Sequence, residues 1–185
     1  MNSKLFNVPE LSIPVKLEEL ADGPRKYEFS ADPEECLALA GRFGLVALNS
    51  LSARTTLEWV QPDTVLRMTG RFLASVTQKC VITLSPFDAD IDDEISILFA
   101  RDVSEAADIV DPDEAEPLEG TVIDIGDIVA EELSLSLDPY PRNPAADPSD
   151  LVLGPGVELI TEDQAAVLPK GENPFSVLES LKPKG

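Results

Sequence analysis

Any acid–base or nucleophilic chemistry in this chain would have to be built from carboxylates, because there is no histidine among its 185 residues. Imidazole is the commonest general base and the commonest metal ligand, so its absence removes triads and most transition-metal sites. The two cysteines, Cys36 and Cys80, stand far apart, and no Cys pair has zinc spacing. Each falls on the apolar side of its own segment and reads as a small core residue. Asp124, Asp127 and Glu131 lie at i, i+3 and i+7, on one face of a helix-patterned stretch. They could bind a metal or move a proton. Acidic residues at a helix start also cap it and complement its dipole, each by about 0.3–1 kcal/mol, and that is the stronger reading. Together these features argue against histidine, thiol or phosphate-loop enzymology.

Charge points towards binding. The chain has 35 acidic and 14 basic residues, a net charge of −21. Such a balance attracts basic partners and works against broad contact with phosphate backbones. One region departs from it. Between positions 50 and 82 four cations, Arg54, Arg67, Arg71 and Lys79, meet only two carboxylates, Glu58 and Asp63. Arg54, Arg67 and Arg71 each fall on the polar parity of an alternating segment. If those segments are neighbouring strands, the cations form a patch on an exposed sheet face suited to RNA phosphates or an acidic partner. The bland alternative is cross-strand pairing with nearby carboxylates. No aromatic residue stands in an obvious position beside the patch to stack bases.

The elements that would hold these groups can be read from periodicity. Leu11, Ile13, Val15 and Leu17 alternate as a half-buried strand, and Pro14 marks it as an edge. Tyr27 and Phe29 continue the alternation. Asp32-Pro33-Glu34-Glu35 is a helix start with a capping-box pattern, followed by Cys36, Leu39, Ala40 and Phe43 at helical spacing. From 51 to 99 the period is two: Leu51 to Trp59, then Leu66 to Val76, with Cys80, Ile82 and Leu84 on the same parity, then Phe87 to Phe99 with Asp93 as an interruption. Residues 101–120 hold eight acidic residues, one basic residue and two prolines, and read as a mobile loop: a linker, a cation holder or a mimic of nucleic acid for a basic protein. Ile125, Val129, Leu133 and Leu137, with Ile128, form the clearest amphipathic helix. Five prolines follow between 139 and 155. A short helix at 173–181 would present Phe175, Leu178 and Leu181, and is expected to dock on the core. The expected fold is α+β: a curled or barrel-like antiparallel sheet with two main helices and a short C-terminal helix. The expected domains are a core at 1–138 and a proline-rich extension with a docking tail at 139–185. No apolar run of membrane-spanning or signal-peptide length is present, so the cytoplasm is the expected compartment.

Three motifs carry a family resemblance. They are Gly70-Arg71-Phe72-Leu73-Ala74-Ser75-Val76-Thr77-Gln78-Lys79-Cys80 with Leu84-Ser85-Pro86; Ile123-Asp124-Ile125-Gly126 with Glu131-Glu132-Leu133-Ser134-Leu135-Ser136-Leu137 and Pro139-Tyr140-Pro141; and Asn173-Pro174-Phe175-Ser176-Val177-Leu178-Glu179-Ser180-Leu181-Lys182. In this order, with the acidic stretch between the first two, the chain from about Leu66 onward resembles the YceD family, the large ribosomal RNA subunit accumulation proteins. The resemblance implies a non-enzymatic role in large-subunit biogenesis. The partner would be large-subunit ribosomal RNA or a basic ribosomal protein, with no cofactor, membrane or small-molecule substrate. It leaves two mechanisms: contact with RNA through the cationic residues, or an acidic chaperone for a basic ribosomal protein. Many members of the family carry Cys-x-x-Cys at the first motif. Here Thr77 holds the first of those positions, Lys79 matches the basic residue before the second cysteine, and only Cys80 remains. Elemental analysis of the purified protein should therefore find no stoichiometric zinc or iron, and a full equivalent of either would overturn that expectation.

Overall fold

The computed structural model describes residues 9–102, 115–147, 154–157 and 160. The chain divides into two compact units, 1–144 and 145–185, and the first contains every element named below. Its centre is an antiparallel meander. β2 (Arg25–Ser30), β3 (Ala47–Gln61), β4 (Val65–Lys79) and β5 (Pro86–Ala100) pair in succession, and β6 (Ala115–Pro117) adds to β5 in parallel. β1 (Pro14–Lys16) and β7 (Val122–Asp124) form a separate antiparallel pair. Helices α1 (Pro33–Phe43) and α2 (Ile125–Ser136) complete the α+β fold. The sheet is open: β2 and β6 are its two edges and do not pair with each other, so barrel closure is not formed. Alternation reports that a sheet has one buried face, which an open sheet covered by helices satisfies equally well.

The inner parity of the meander makes the core. Leu51, Ala53 and Leu57 of β3, Met68, Phe72 and Val76 of β4, and Ile95 and Phe99 of β5 are buried in one cluster. The two helices cover it with Cys36, Leu39 and Ala40 from α1 and Ile125, Val129, Ala130 and Leu133 from α2. Gly70 sits in this sheet because nothing larger fits: a Cβ there would lie 2.4 Å from the Arg54 carbonyl oxygen.

Both helices start as their sequences dictate. The Asp32 carboxylate accepts from Glu34 N and Glu35 N, and Glu35 accepts from Asp32 N, closing a capping box. Gly44 ends α1 with a left-handed φ of 67°. Asp124 caps α2 and does more. Its Oδ1 accepts from Gly126 N at 3.0 Å, Asp127 N at 3.3 Å and, from the N-terminal segment, Ile13 N at 2.7 Å. Its Oδ2 accepts from the Ser12 hydroxyl at 2.5 Å. Gly126 lets that segment pass, since a Cβ there would stand 2.9 Å from both Leu11 O and Ile13 N.

Several boundaries differ from the periodic pattern. Only Pro14–Lys16 of the expected 11–17 strand is extended, and Leu17–Leu20 turns into a 3₁₀ helix that buries both leucines. β4 stops at Lys79. Residues 80–84 form a turn in which Leu84 N donates to Cys80 O, and Leu84 is exposed with φ 58°. The parity of Ile82 and Leu84 is therefore coincidental. β6 lies inside the stretch expected to be a loop, and Leu118 behind it is buried. Residues 103–114 of that loop and the expected helix at 173–181 lie outside the described residues.

Asp124→Ala should cost about 1–3 kcal/mol, because it removes a cap and strands the Ile13 amide. Gly126→Ala should also destabilise by about 1–3 kcal/mol through overpacking, against the usual stabilising sign of this change inside a helix. Urea unfolding followed by circular dichroism measures both, and a stabilised Gly126→Ala would refute the close-approach argument.

Candidate functional site

Arg54, Arg67 and Arg71 share the outer face of the sheet, as their parity requires. The strand register sets their neighbours. Arg54 lies directly opposite Arg71, with Glu28 beyond it on β2 and Glu94 beyond Arg71 on β5. Arg67 lies opposite Glu58. Two like charges face to face repel, and each is offset by a carboxylate on its other side. Arg54 grips Glu28 Oε1 through Nε at 3.0 Å and Nη2 at 2.8 Å. Arg67 Nη1 reaches Glu58 Oε1 at 3.2 Å. Arg71 makes a forked pair with Asp92. That contact holds the Arg71 guanidinium above its ordinary range and the Asp92 carboxyl below its own. Lys79 is not part of this group. It ends β4, eight residues beyond Arg71, which is roughly 27 Å along an extended strand.

The same face carries a feature that the local cation count conceals. Asp88, Asp90, Asp92 and Glu94 occupy alternate positions of β5 and are all exposed on the outer side. The signal is present in the sequence as strict alternation with Phe87, Ala89 and Ile91. Asp93, the interruption of the inner parity, has a local cause: its carboxylate accepts from the Ser136 hydroxyl at the end of α2, at 2.7 Å. That bond, with the Glu94 amide, lowers its pKa.

The titratable groups at the start of α2 are structural. Asp127 pairs with Arg42 Nη1 at 3.3 Å, and the same nitrogen holds Glu10 Oε2 at 3.0 Å. Burial raises Glu131 and Glu132, with the nearby carboxylates adding to it. Among the described residues, no three His, Cys, Asp or Glu groups are placed to hold a metal. A groove of about 840 Å³ runs beside Leu17, Trp59 and Val122, but Glu58 there is committed to Arg67, and Asp63 to Arg101.

Cys80 is buried at the start of the β4–β5 turn. Its sulfur accepts from Thr83 and from the Asn143 amide at 3.4 Å, and these bonds bring its pKa down to about 6. The Thr77 hydroxyl is engaged on both sides, accepting from Asn49 Nδ2 at 3.1 Å and donating to Asp88 Oδ1 at 2.6 Å. One cysteine beside an engaged hydroxyl does not supply the ligand set of a zinc site. Among the described residues, no helix is long and apolar enough to cross a membrane.

Fold and surface thus define an α+β protein with one helix-covered sheet face and one open face bearing ordered charge. Residues 68–182 match the family described as Large ribosomal RNA subunit accumulation protein YceD, and the chain belongs to that family. No curated protein and no solved structure matches the chain.

Glu132→Gln tests the burial argument. Because the folded pKa of Glu132 is raised, its charged form is disfavoured in the native state, and native stability falls as pH rises through that value. The substitution should raise the melting temperature at neutral pH, and the gain should vanish at pH values below the ordinary glutamate range. An equal gain at every pH would show that charge is not the cause.

Proposed function

We propose that this chain is a non-enzymatic factor that supports accumulation of large-subunit ribosomal RNA in the cytoplasm by holding a basic ribosomal protein on its open sheet face. The family's description supplies the process. The observation that carries the mechanism is the row Asp88, Asp90, Asp92 and Glu94, exposed on one strand of a chain with net charge −21. Carboxylates at alternate strand positions stand roughly 7 Å apart, close enough for a lysine- or arginine-rich segment to meet several at once. The arginines brace part of this lattice by fixing Glu28, Glu58 and Asp92. No cofactor or small substrate enters this reading.

A second reading has one observation in its favour: Arg54, Arg67 and Arg71 lie together on that exposed face, with Lys79 further along the same strand. Here these four residues contact ribosomal RNA phosphates directly. For the arginines that contact requires each guanidinium to leave its carboxylate, and exposed pairs of this kind are worth only about 0–1 kcal/mol.

Gradient comigration with large-subunit precursors separates the two. Asp90→Asn with Glu94→Gln should weaken association by up to about 30-fold if a basic protein is held there. Arg67→Glu with Arg71→Glu should then leave association intact or strengthen it. If the arginine reversal instead weakens association and flattens its salt dependence, while circular dichroism shows a folded protein, phosphate contact is the mechanism.

A further inference from the structure

The sheet-face arginines are all paired, but one end of the molecule is built differently. The segment after α2 runs back along the end of β4. Gln78 Nε2 donates to Asp138 O at 3.4 Å, Val81 N donates to Pro141 O at 2.9 Å, and Asn143 N donates to the Cys80 sulfur at 3.4 Å. These bonds fix Pro139-Tyr140-Pro141 beside the β4–β5 turn. Tyr140 is 71% exposed there, although its backbone is held: flanking prolines restrict it, and its amide donates to Asp138 Oδ1 at 2.8 Å. Val81 and Leu84 of the adjoining turn are also exposed. Lys79 and Arg142 flank this surface, both exposed. Among the described residues neither has a carboxylate within ion-pair distance, a condition they share with Arg25 and Lys26 at the start of β2, whereas Arg42, Arg54, Arg67, Arg71 and Arg101 are all paired. A pocket of about 360 Å³ opens alongside, between Gln78, Lys79, Asp138, Pro139 and Pro141 on one side and Phe43 and Leu45 on the other, and the Asp138 carboxylate in its lining is engaged by the Tyr140 amide.

The geometry points to a single-stranded RNA contact at this end, in which Tyr140 stacks on a base while Lys79 and Arg142 take the flanking phosphates. The ring and the apolar turn favour RNA over an acidic peptide, and the unpaired cations favour an anion of either kind. A rigidly presented, solvent-facing ring is the platform that base stacking uses, and stacking needs no sequence-specific hydrogen bonds. Phosphate binding by these two cations breaks no ion pair among the described residues. The exposed Val81 and Leu84 offer apolar area to a base or ribose, which a carboxylate-rich peptide would not use. Repulsion by the acidic sheet face disfavours contact there. This inference goes beyond the protein-holding sheet face and does not depend on it.

The test is fluorescence anisotropy of the full chain with a short fluorescein-labelled single-stranded RNA of mixed sequence, with ultraviolet crosslinking and mass spectrometry to locate the bound strand. Wild type should bind and crosslink within the peptide carrying Tyr140. Tyr140→Ala should weaken binding by about tenfold, and Tyr140→Phe should retain it. Lys79→Gln with Arg142→Gln should weaken binding and reduce the salt slope by about 0.7 for each phosphate no longer neutralised. Arg67→Glu with Arg71→Glu should change little. Tyr140 has an exposed ring, so its substitution should leave the thermal melt unchanged, and the melt is the folding control. The inference is overturned if Tyr140→Ala binds like wild type, or if polyglutamate competes as well as RNA and is equally indifferent to Tyr140. It is also overturned if wild type fails to bind RNA while still comigrating with large-subunit precursors, an outcome that leaves the sheet-face reading standing.

Discussion

The carboxylate of Asp124 is where three separate pieces of this fold meet. It ends β7, starts α2 and takes both a backbone amide and a hydroxyl from the N-terminal segment. The part-buried Ile13 amide would otherwise be an unsatisfied group near the core edge. Meeting both donors with one residue sets the direction of α2, and that direction lays Val129 and Leu133 against the inner face of the sheet. Gly126 is the steric half of the same arrangement, since the chain at Leu11 to Ile13 can pass only where a side chain is missing. The acidic helix start that resembles a site is thus a joint. Its neighbour Asp127 extends the joint through Arg42 to Glu10, again tying α2 to α1 and the N-terminal segment.

Because the helices occupy the inner face, the outer face is free to carry charge. An antiparallel sheet with one buried side holds its polar residues in a grid, fixed by the register of the strands. On this grid an arginine has little choice of partner. Arg54 and Arg71 are forced together by the register, and each turns to the carboxylate on its open side. Because the register fixes which residues are neighbours, changing one charge alters the surroundings of its cross-strand neighbours.

Much of this is legible in the sequence. The core positions, both helix starts and the outer parity of Arg54, Arg67 and Arg71 follow from period, caps and spacing, which are local properties. What stays hidden is relational. The pairing of each arginine depends on which residues sit across the strand, and a register shift between Trp59 and Gln61, beside the β3–β4 turn, sets that pairing in a way that composition cannot register. The acidic row on β5 lies beyond the cationic stretch that ends at position 82, on the far side of the β4–β5 turn, and only strand pairing brings the two together. β6 escapes because three residues carry no period, and its pairing with β5 is a tertiary event. The turn at 80–84 imitates a strand because any five residues match alternation often enough by chance.

The surface therefore separates its cations into two kinds, and the difference is energetic. A guanidinium already held by a carboxylate must exchange one anion for another when it meets phosphate, so its gain is lowered by the worth of the pair it leaves, about 0–1 kcal/mol. An unpaired cation keeps its hydration until a phosphate arrives, and the counterion released from the nucleic acid adds to the gain. In a chain of net charge −21 this makes location decisive. Charges more than a Debye length away, about 8 Å at physiological salt, are largely screened, so at contact the local charge counts for more than the net charge. An RNA strand that approaches along the acidic sheet is turned away, and one that approaches the β4–β5 end meets Lys79, Arg142 and the ring of Tyr140. In the reading proposed above, the excess of acid then supplies orientation: a basic protein would take the broad face and RNA the β4–β5 end.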